Sequence, residues 1–199
     1  MLFKKTRHIP LRKSVFGLVF ENPLDFATLT MPKEQLLAAA AKGKRFHILE
    51  LMEDIERLFS LLYDFTDLMV IPTSAFERLD APDLYETLDA VLATRLIYDH
   101  HVPLLVRIAP GQDDAEITKL IDYCRLSGID GILVPGLANL RHVRDITEGR
   151  IPLVAYAHLE TPEDAALRLR EGASLIDCSG KKPLWIRQTL DIIENTIHD

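Results

Sequence analysis

The sequence predicts an α/β fold: a TIM-type βα-barrel, compact or incomplete, with about seven βα units and mostly parallel strands. One pattern recurs three times, as a short apolar run that ends at a break, in VPLLVRIAPG, GIDGILVPG and IPLVAYAHLE. A segment with helical apolar spacing follows each break, and GASLIDCSG begins the same pattern once more. Buried parallel strands that alternate with amphipathic helices are typical of wound sheets and barrels.

Seven apolar segments are predicted as the strands of this sheet, namely 24–29, 46–51, 68–72, 103–108, 131–134, 152–156 and 174–178. Before them, SVFGLVFENP is apolar on both sides of Gly17, and we expect a hairpin that plugs one end of the sheet. The commonest eight-stranded barrel takes about 250 residues. The 199 residues of this chain therefore favour a barrel that lacks one unit. An open doubly wound sheet is the alternative.

Capping residues indicate where the helices begin and end. Thr161 and Pro162, followed by two acidic residues, form a strong start with a threonine N-cap and a proline in the first turn. Gly43 and Gly128 stop two other helices, because glycine readily adopts the left-handed conformation past a helix end. Apolar spacing predicts further helices over 52–65, 83–98 and from about 183 onward, with Leu96 on the apolar face of the second.

Composition bounds the class of protein. A single domain over 1–199 is expected, because 48% of the residues are hydrophobic and can bury one substantial core. The net charge of −7 argues against nucleic acid or an anionic membrane as the main partner. No apolar run is long enough to span a bilayer, and no secretory signal is recognised. Two cysteines outside any C-x-x-C motif favour buried thiols in a reducing compartment, so we expect a cytoplasmic protein.

Charged residues on apolar strands mark the candidate site. In wound α/β folds, ligands bind where strands end and helices begin. Arg107, Glu50 and Asp177 each stand on an otherwise apolar strand, and we expect them to converge at the strand-end mouth. A structural ion pair and a ligand-binding charge are equally compatible with this pattern. No H-x-H or H-E-x-x-H spacing supports a metal site.

Three stretches of the chain resemble the dihydroorotate dehydrogenases, flavin-containing βα-barrel enzymes of pyrimidine synthesis. GLVFENPLDFAT resembles the family's opening G-L-x-F-x-N-P-V-x-x-A-x-G, and VPLLVRIAPG with the helix and GIDGILV after it resembles its P-V-x-V-K-I-A-P segment. The stretch IPLVAYAHLE to GASLIDCSG resembles its I-P-I-I-G-V-G-G-I strand, helix and A-G-A-S strand. The resemblance covers over half of the chain in the family's order. It implies a barrel, an oxidoreductase activity and FMN as cofactor.

The resemblance also implies which residues contact FMN. Arg107 takes the place of the family's flavin-contacting lysine, and His158 follows Ala157 where the family has a glycine pair that approaches the flavin phosphate. Ser179 and Gly180 retain part of the second phosphate loop and are followed by Lys181. A side chain at both positions of the former glycine pair hinders close approach of the phosphate. We therefore expect FMN affinity to be absent or much weakened.

The catalytic base implied by the resemblance is Ser74, in the loop IPTSAF. An ordinary loop hydroxyl is the alternative for Ser74, and capping of the helix that starts at Thr161 is the alternative for His158. Solvated lysine is the alternative for Lys181.

Two functions follow. One is an FMN-dependent oxidoreductase. The other is a non-catalytic or repurposed barrel that binds a phosphorylated metabolite or a protein partner. A homodimer would cover the strand edges that a missing unit exposes.

Overall fold

A six-stranded parallel sheet is the centre of the computed structural model, which describes residues 12–196. Its strand order is the chain order, β3-β4-β5-β6-β7-β8. The strands are β3 (Phe46–Glu50), β4 (Thr66–Pro72), β5 (Leu104–Arg107), β6 (Gly131–Pro135), β7 (Leu153–Tyr156) and β8 (Leu175–Ile176). Six of the seven predicted strands are therefore confirmed as members of one parallel sheet.

Helices precede, connect and follow these strands and pack outside the sheet. They are α1 (Lys33–Ala40), α2 (Ile55–Leu62), α3 (Pro82–Arg95), α4 (Asp114–Ser127), α5 (Leu137–Thr147), α6 (Pro162–Arg170) and α7 (Pro183–Thr196). The larger apolar cluster lies between the helices and the sheet, and includes Leu58, Leu88, Ile121 and Val143. This layering is the βα-barrel arrangement that the alternating pattern predicted.

The remaining predicted strand, 24–29, is an irregular segment that closes the sheet. Phe26 bridges to Asp177 beyond β8, and Leu29 bridges to Leu49 in β3, both in parallel orientation. The Cys178 amide donates to the Phe26 carbonyl at 2.8 Å, and the Leu29 amide donates to the carbonyl of Ile48 at 2.9 Å. Residues 26–29 thus pair with both edges of the sheet, which is a compact barrel and not an open doubly wound sheet.

Period-two alternation sends a second apolar cluster into the barrel interior. It consists of Phe20, Phe26, Ile48, Leu68, Val70, Leu105, Leu133, Val154 and Leu175. A hairpin of β1 (Lys13–Val15) and β2 (Leu18–Phe20) plugs the end of the barrel where the strands begin. Its turn residues Phe16 and Gly17 have φ of 58° and 76°. The Phe16 ring fills the space where a Cβ on Gly131, the first residue of β6, would lie. The predicted hairpin plug is confirmed.

The predicted helix ends are confirmed at most positions. Thr161 and Asp164 form a capping box, and Asp113 caps α4 through the Ala115 amide at 2.8 Å. Leu96 is a correction: α3 ends at Arg95, so the apolar face does not extend to Leu96, which is 86% exposed.

Both cysteines, Cys124 and Cys178, are free and buried, as expected. Burial raises the pKa of each thiol to about 12. Among residues 12–196, no helix has the length and apolar character needed to cross a membrane, and no cluster of three or more ligating side chains suits a metal ion.

Candidate functional site

Side chains at the strand ends meet in the mouth of the barrel. Alternation along each strand places Glu50 two residues after Ile48, and Arg107 two residues after Leu105, on the interior side. Asp177 follows Leu175, another interior residue, by the same spacing. The three charged residues therefore point toward a common axis, as the sequence predicted.

Arg107 pairs with both carboxylates. Its Nη2 donates to Asp177 Oδ2 at 2.8 Å, and its Nε lies 2.7 Å from Glu50 Oε1. The N–H of that second contact is not directed at the oxygen, so it is an ion pair without a well-formed hydrogen bond. The side chains of Asp177, Glu50 and Arg107 are 2%, 9% and 17% exposed. The predicted convergence is confirmed, and the residues form a nearly buried ion-pair triad.

Hydroxyl groups that the sequence reasoning missed complete this triad. Thr28 Oγ1 accepts from Arg107 Nη2 at 2.7 Å and donates to Asp177 Oδ2 at 3.2 Å. Thr30 Oγ1 donates to Glu50 Oε2 at 2.8 Å. Thr28 lies in the closing segment 26–29, and Thr30 follows it. Because this segment is not a regular strand, the sequence did not show that both side chains point into the barrel mouth. The available signal was their spacing of two and four residues from Phe26, whose side chain lies in the barrel interior.

Tyr156, at the end of β7, was also missed as a site residue. Its ring stacks under the Arg107 guanidinium, with 4.7 Å from Cζ to the ring centroid, and its hydroxyl donates to the Ile108 carbonyl. Burial raises the pKa of Tyr156 to about 12, an effect that Arg107 partly offsets and that Glu50 and Asp177 reinforce. The phenol therefore serves as a neutral donor that covers the triad.

A cleft of about 230 Å³ opens beside the triad. The residues lining it are Arg107, Tyr156, Ala157, His158, Leu159, Asp177, Ser179 and Lys181. Four of the six predicted site residues, Arg107, His158, Ser179 and Lys181, are thus brought to one place. Gly180 lies between two of these lining residues with a φ of 73°.

The backbone at Ala157 and His158 is left-handed, with φ of 57° and 49°. Residues that carry a side chain rarely adopt this backbone conformation, and each such residue stores about 1–3 kcal/mol of strain. Two residues that carry side chains thus hold a backbone geometry that glycine adopts freely. His158 does not cap α6, because Thr161 occupies that position, so the capping alternative is wrong.

Two cations hold the loop that follows. Arg168 Nη2 donates to the His158 carbonyl at 3.2 Å, and Lys181 Nζ donates to the carbonyl of Leu159. Lys181 Nζ also lies 4.9 Å from the centroid of the Trp185 ring. An ammonium has three N–H groups, so Lys181 keeps donors for a ligand.

Ser179 is largely committed to its neighbours. Its hydroxyl contacts Asp177 Oδ1, accepts from the Thr28 amide at 2.8 Å and lies 3.0 Å from Thr28 Oγ1. The Ser179 amide also donates to Asp177 Oδ1 at 3.0 Å. The residue thus ties the β8 end to the closing segment, and its role toward a cofactor stays a prediction.

Ser74 does not line this cleft. It is exposed on a 3₁₀ turn (Thr73–Ala75) after β4, and its side chain makes no hydrogen bond within residues 12–196. Its neighbours Ala75 and Phe76 line a different cavity of about 550 Å³ with Glu53 and Asp54. The assignment of Ser74 as a base stays a prediction.

The residues present fit a small anion better than a whole FMN. Ligand pockets for organic molecules typically measure about 300–1,000 Å³, and this cleft measures about 230 Å³. Arg107, for which the resemblance implies a flavin contact, is held by Glu50, Asp177 and Thr28. Ala157 and His158 carry side chains at the two positions where the resemblance implies a glycine pair.

The fold and the strand-end mouth define a TIM-type βα-barrel protein. No protein-family profile matches the chain. The particular proteins that it resembles in sequence are quinone dihydroorotate dehydrogenases, which confirms the resemblance read from its motifs. The enzyme of Nautilia profundicola is 26% identical over 155 residues, covering 63% of this chain and 42% of the relative. That of Salinispora arenicola is 24% identical over 160 residues, covering 64% and 46%.

A third relative, the quinone dihydroorotate dehydrogenase of Thermobifida fusca, is 32% identical over 123 residues, covering 44% of this chain and 33% of the relative. The chain thus spans less than half the length of the curated relatives it matches.

Solved structures show the same fold. Ligand-free dihydroorotate dehydrogenase of Eimeria tenella superimposes with a TM-score of 0.73 at 15% identity, covering all of this chain and 91% of that one. The same enzyme with ferulenol gives 0.72 at 16% identity, covering 95% and 85%. A mandelate oxidase variant with an FMN adduct gives 0.61 at 15% identity, covering 94% and 76%. The fold is that of the dihydroorotate dehydrogenase and mandelate oxidase structures.

Proposed function

We propose that this chain is a repurposed barrel that binds a small phosphorylated metabolite in the strand-end cleft. The observation that carries the proposal is that side chains fill the barrel mouth, whereas the cleft beside it stays open and is lined by hydrogen-bond donors. The Glu50–Arg107–Asp177 triad and Tyr156 take up the mouth, while the cleft beside them offers a lysine, an imidazole and a strained loop.

Electrostatics support an anionic ligand. Lys181 keeps free N–H donors, and the exposed imidazole of His158 makes no hydrogen bond within residues 12–196. Asp177 is the carboxylate among the lining residues. Both of its oxygens already accept hydrogen bonds, Oδ1 from Ser179 and Oδ2 from Arg107 and Thr28. The cleft therefore presents donors to a ligand, and a phosphate group accepts hydrogen bonds from such donors.

Inorganic phosphate is the simplest probe of this proposal. We expect calorimetry to show saturable binding by the wild-type protein and a rise of the melting temperature with phosphate concentration. Lys181→Met removes a charge-assisted bond worth about 1.5–3 kcal/mol, which corresponds to at least tenfold weaker binding. Lys182→Met is the matched control, because Lys182 is exposed and does not line the cleft. Equal behaviour of the two variants contradicts the proposal.

An FMN-dependent oxidoreductase is the second candidate function, favoured by the likeness in fold to dihydroorotate dehydrogenase and to an oxidase that carries an FMN adduct. Titration with FMN, followed by flavin fluorescence, separates the two candidates. The repurposed barrel is expected to show no stoichiometric FMN binding at submicromolar concentration. Such binding, or a yellow protein after purification, would establish the flavin candidate instead.

A further inference from the structure

Arg168 is a buried arginine without a carboxylate partner. The residue is 6% exposed, and the single hydrogen bond of its side chain within residues 12–196 runs from Nη2 to the His158 carbonyl at 3.2 Å. Its Nε and Nη1 are buried and have no hydrogen-bond partner. Burial lowers the pKa of Arg168, and the nearby Asp164 carboxylate opposes this effect only in part. A buried, unpaired charge is unfavourable for folding, so Arg168 is expected to have a role other than stabilising the fold.

The carbonyl that Arg168 binds belongs to a strained residue. His158 and the preceding Ala157 are the two consecutive left-handed residues of the cleft loop. A trans peptide is planar, so fixing the His158 carbonyl also fixes the direction of the Leu159 N–H. Lys181 fixes the next carbonyl, that of Leu159, in the same way. Two cations from neighbouring elements thus set two successive peptide planes.

We propose that Arg168 is a positioning residue, which binds the His158 carbonyl from α6 and so holds Ala157 and His158 in the left-handed conformation that shapes the anion cleft. The proposal rests on the proposed function, because the cleft must bind a phosphate for its shape to matter. Arg168 itself does not line the cleft, so it acts through the loop and not by touching the ligand.

Four proteins test this role with inorganic phosphate as the probe: the wild type, R168M, R168K and R170M. Arg170 is exposed on the same helix and is the matched control. We expect R168M to bind phosphate about tenfold more weakly, equivalent to about 1.4 kcal/mol, while R170M binds as the wild type does. R168K keeps the charge without the planar fork and is expected to lose less. Its smaller substitution also serves if R168M does not fold.

A double-mutant cycle with His158→Gly distinguishes positioning from a general structural effect. Glycine adopts positive φ without steric cost, so it needs no arginine to hold it. The tenfold effect of R168M is therefore expected to fall below about threefold in the H158G background. The melting temperature of R168M without phosphate is expected to stay constant or rise, because methionine relieves a buried unpaired charge.

The results distinguish a failure of the positioning role from a failure of the proposed function. An equal loss of phosphate affinity in both backgrounds, or no loss in R168M while the wild type binds, overturns the positioning role and leaves the proposed function intact. Absence of phosphate binding by the wild type and by R170M overturns the proposed function, and the positioning role with it.

Discussion

Arg107 lies between two carboxylates that are almost completely shielded from solvent, with side-chain exposures of 9% for Glu50 and 2% for Asp177. Removing the cation from such a cluster leaves buried negative charge without compensation. We expect Arg107→Met to lower the free energy of unfolding by about 3–5 kcal/mol, measured by urea denaturation. Arg45→Met is the control: Arg45 is 64% exposed beside Asp67, and an exposed pair contributes about 0–1 kcal/mol. Similar losses in both variants would contradict a buried triad.

Tyr156 gives the mouth a measurable pH response. Burial raises the pKa of Tyr156 to about 12, whereas an unfolded tyrosine titrates near pH 10. The folded state therefore holds the proton more tightly, and this stabilisation is complete below about pH 10 and lost as the pH rises toward 12. The hydrogen bond to Ile108 adds about 0.5–1.5 kcal/mol. We expect the advantage of the wild type over Tyr156→Phe in urea denaturation to be constant from pH 7 to 9 and smaller at pH 11. An advantage that grows with pH would contradict the assignment.

At the scale of elements, the capping box of α6 fixes the helix that carries Arg168. Hydrogen bonds that Thr161 donates to Asp164 lower the pKa of that carboxyl, and the bond from the Thr161 backbone amide has the largest effect. A lowered pKa means that the stabilisation is present above about pH 4, the ordinary pKa of aspartate, and is lost as the pH falls below it. Thermal melts are expected to show Asp164→Asn less stable than the wild type at pH 7, by about 1 kcal/mol, with the difference shrinking as the pH falls below about 4.

Glu163→Gln is the matched control for the capping box, because Glu163 lies in the same turn and takes no part in the cap. A pH-dependent loss of the same size in this variant would assign the effect to the helix dipole instead.

The hairpin β1–β2 is the second element whose packing can be tested alone. A Cβ added to Gly131 would lie 2.3 Å from Phe16 Cε1 and 3.1 Å from the Pro152 carbonyl oxygen. Overpacking of this kind costs about 1–3 kcal/mol, so we expect Gly131→Ala to lower the urea midpoint. Phe16→Ala in the same background is expected to recover part of that loss, because it removes the nearer contact. A purely additive double mutant would show that the hairpin does not plug the barrel at this point.

At the scale of the whole molecule, local pattern predicted the fold and half of the site. Apolar runs identified the strands, and period-two alternation from Ile48 and Leu105 was sufficient to place Glu50 and Arg107 on one interior axis. The left-handed backbone at Ala157 and His158 was not predictable, because nothing local favours positive φ in residues that carry a Cβ. The surrounding loop imposes it.

Other features depended on the tertiary structure as well. The hydrogen-bond partners of Thr28 depend on the closing segment, which lies between β3 and β8 in space. The exposure of Leu96 depends on where α3 ends. Closure also changes the argument for a homodimer. Both sheet edges pair with residues 26–29, so a dimer, if it forms, needs a surface other than a strand edge.

Closure of the barrel predicts how the molecule opens. The amides of Leu29, Glu50, Ile176 and Cys178 each donate across the junction between residues 23–29 and the sheet, at 2.8–3.0 Å. If the closed barrel is one cooperative unit, these bonds break only on global unfolding. Native-state hydrogen exchange is therefore expected to give them the same opening free energy as the Ile132 amide in the middle of the sheet. Much faster exchange at the four junction amides, with Ile132 still protected, would mean that the segment detaches while the six-stranded sheet stays folded.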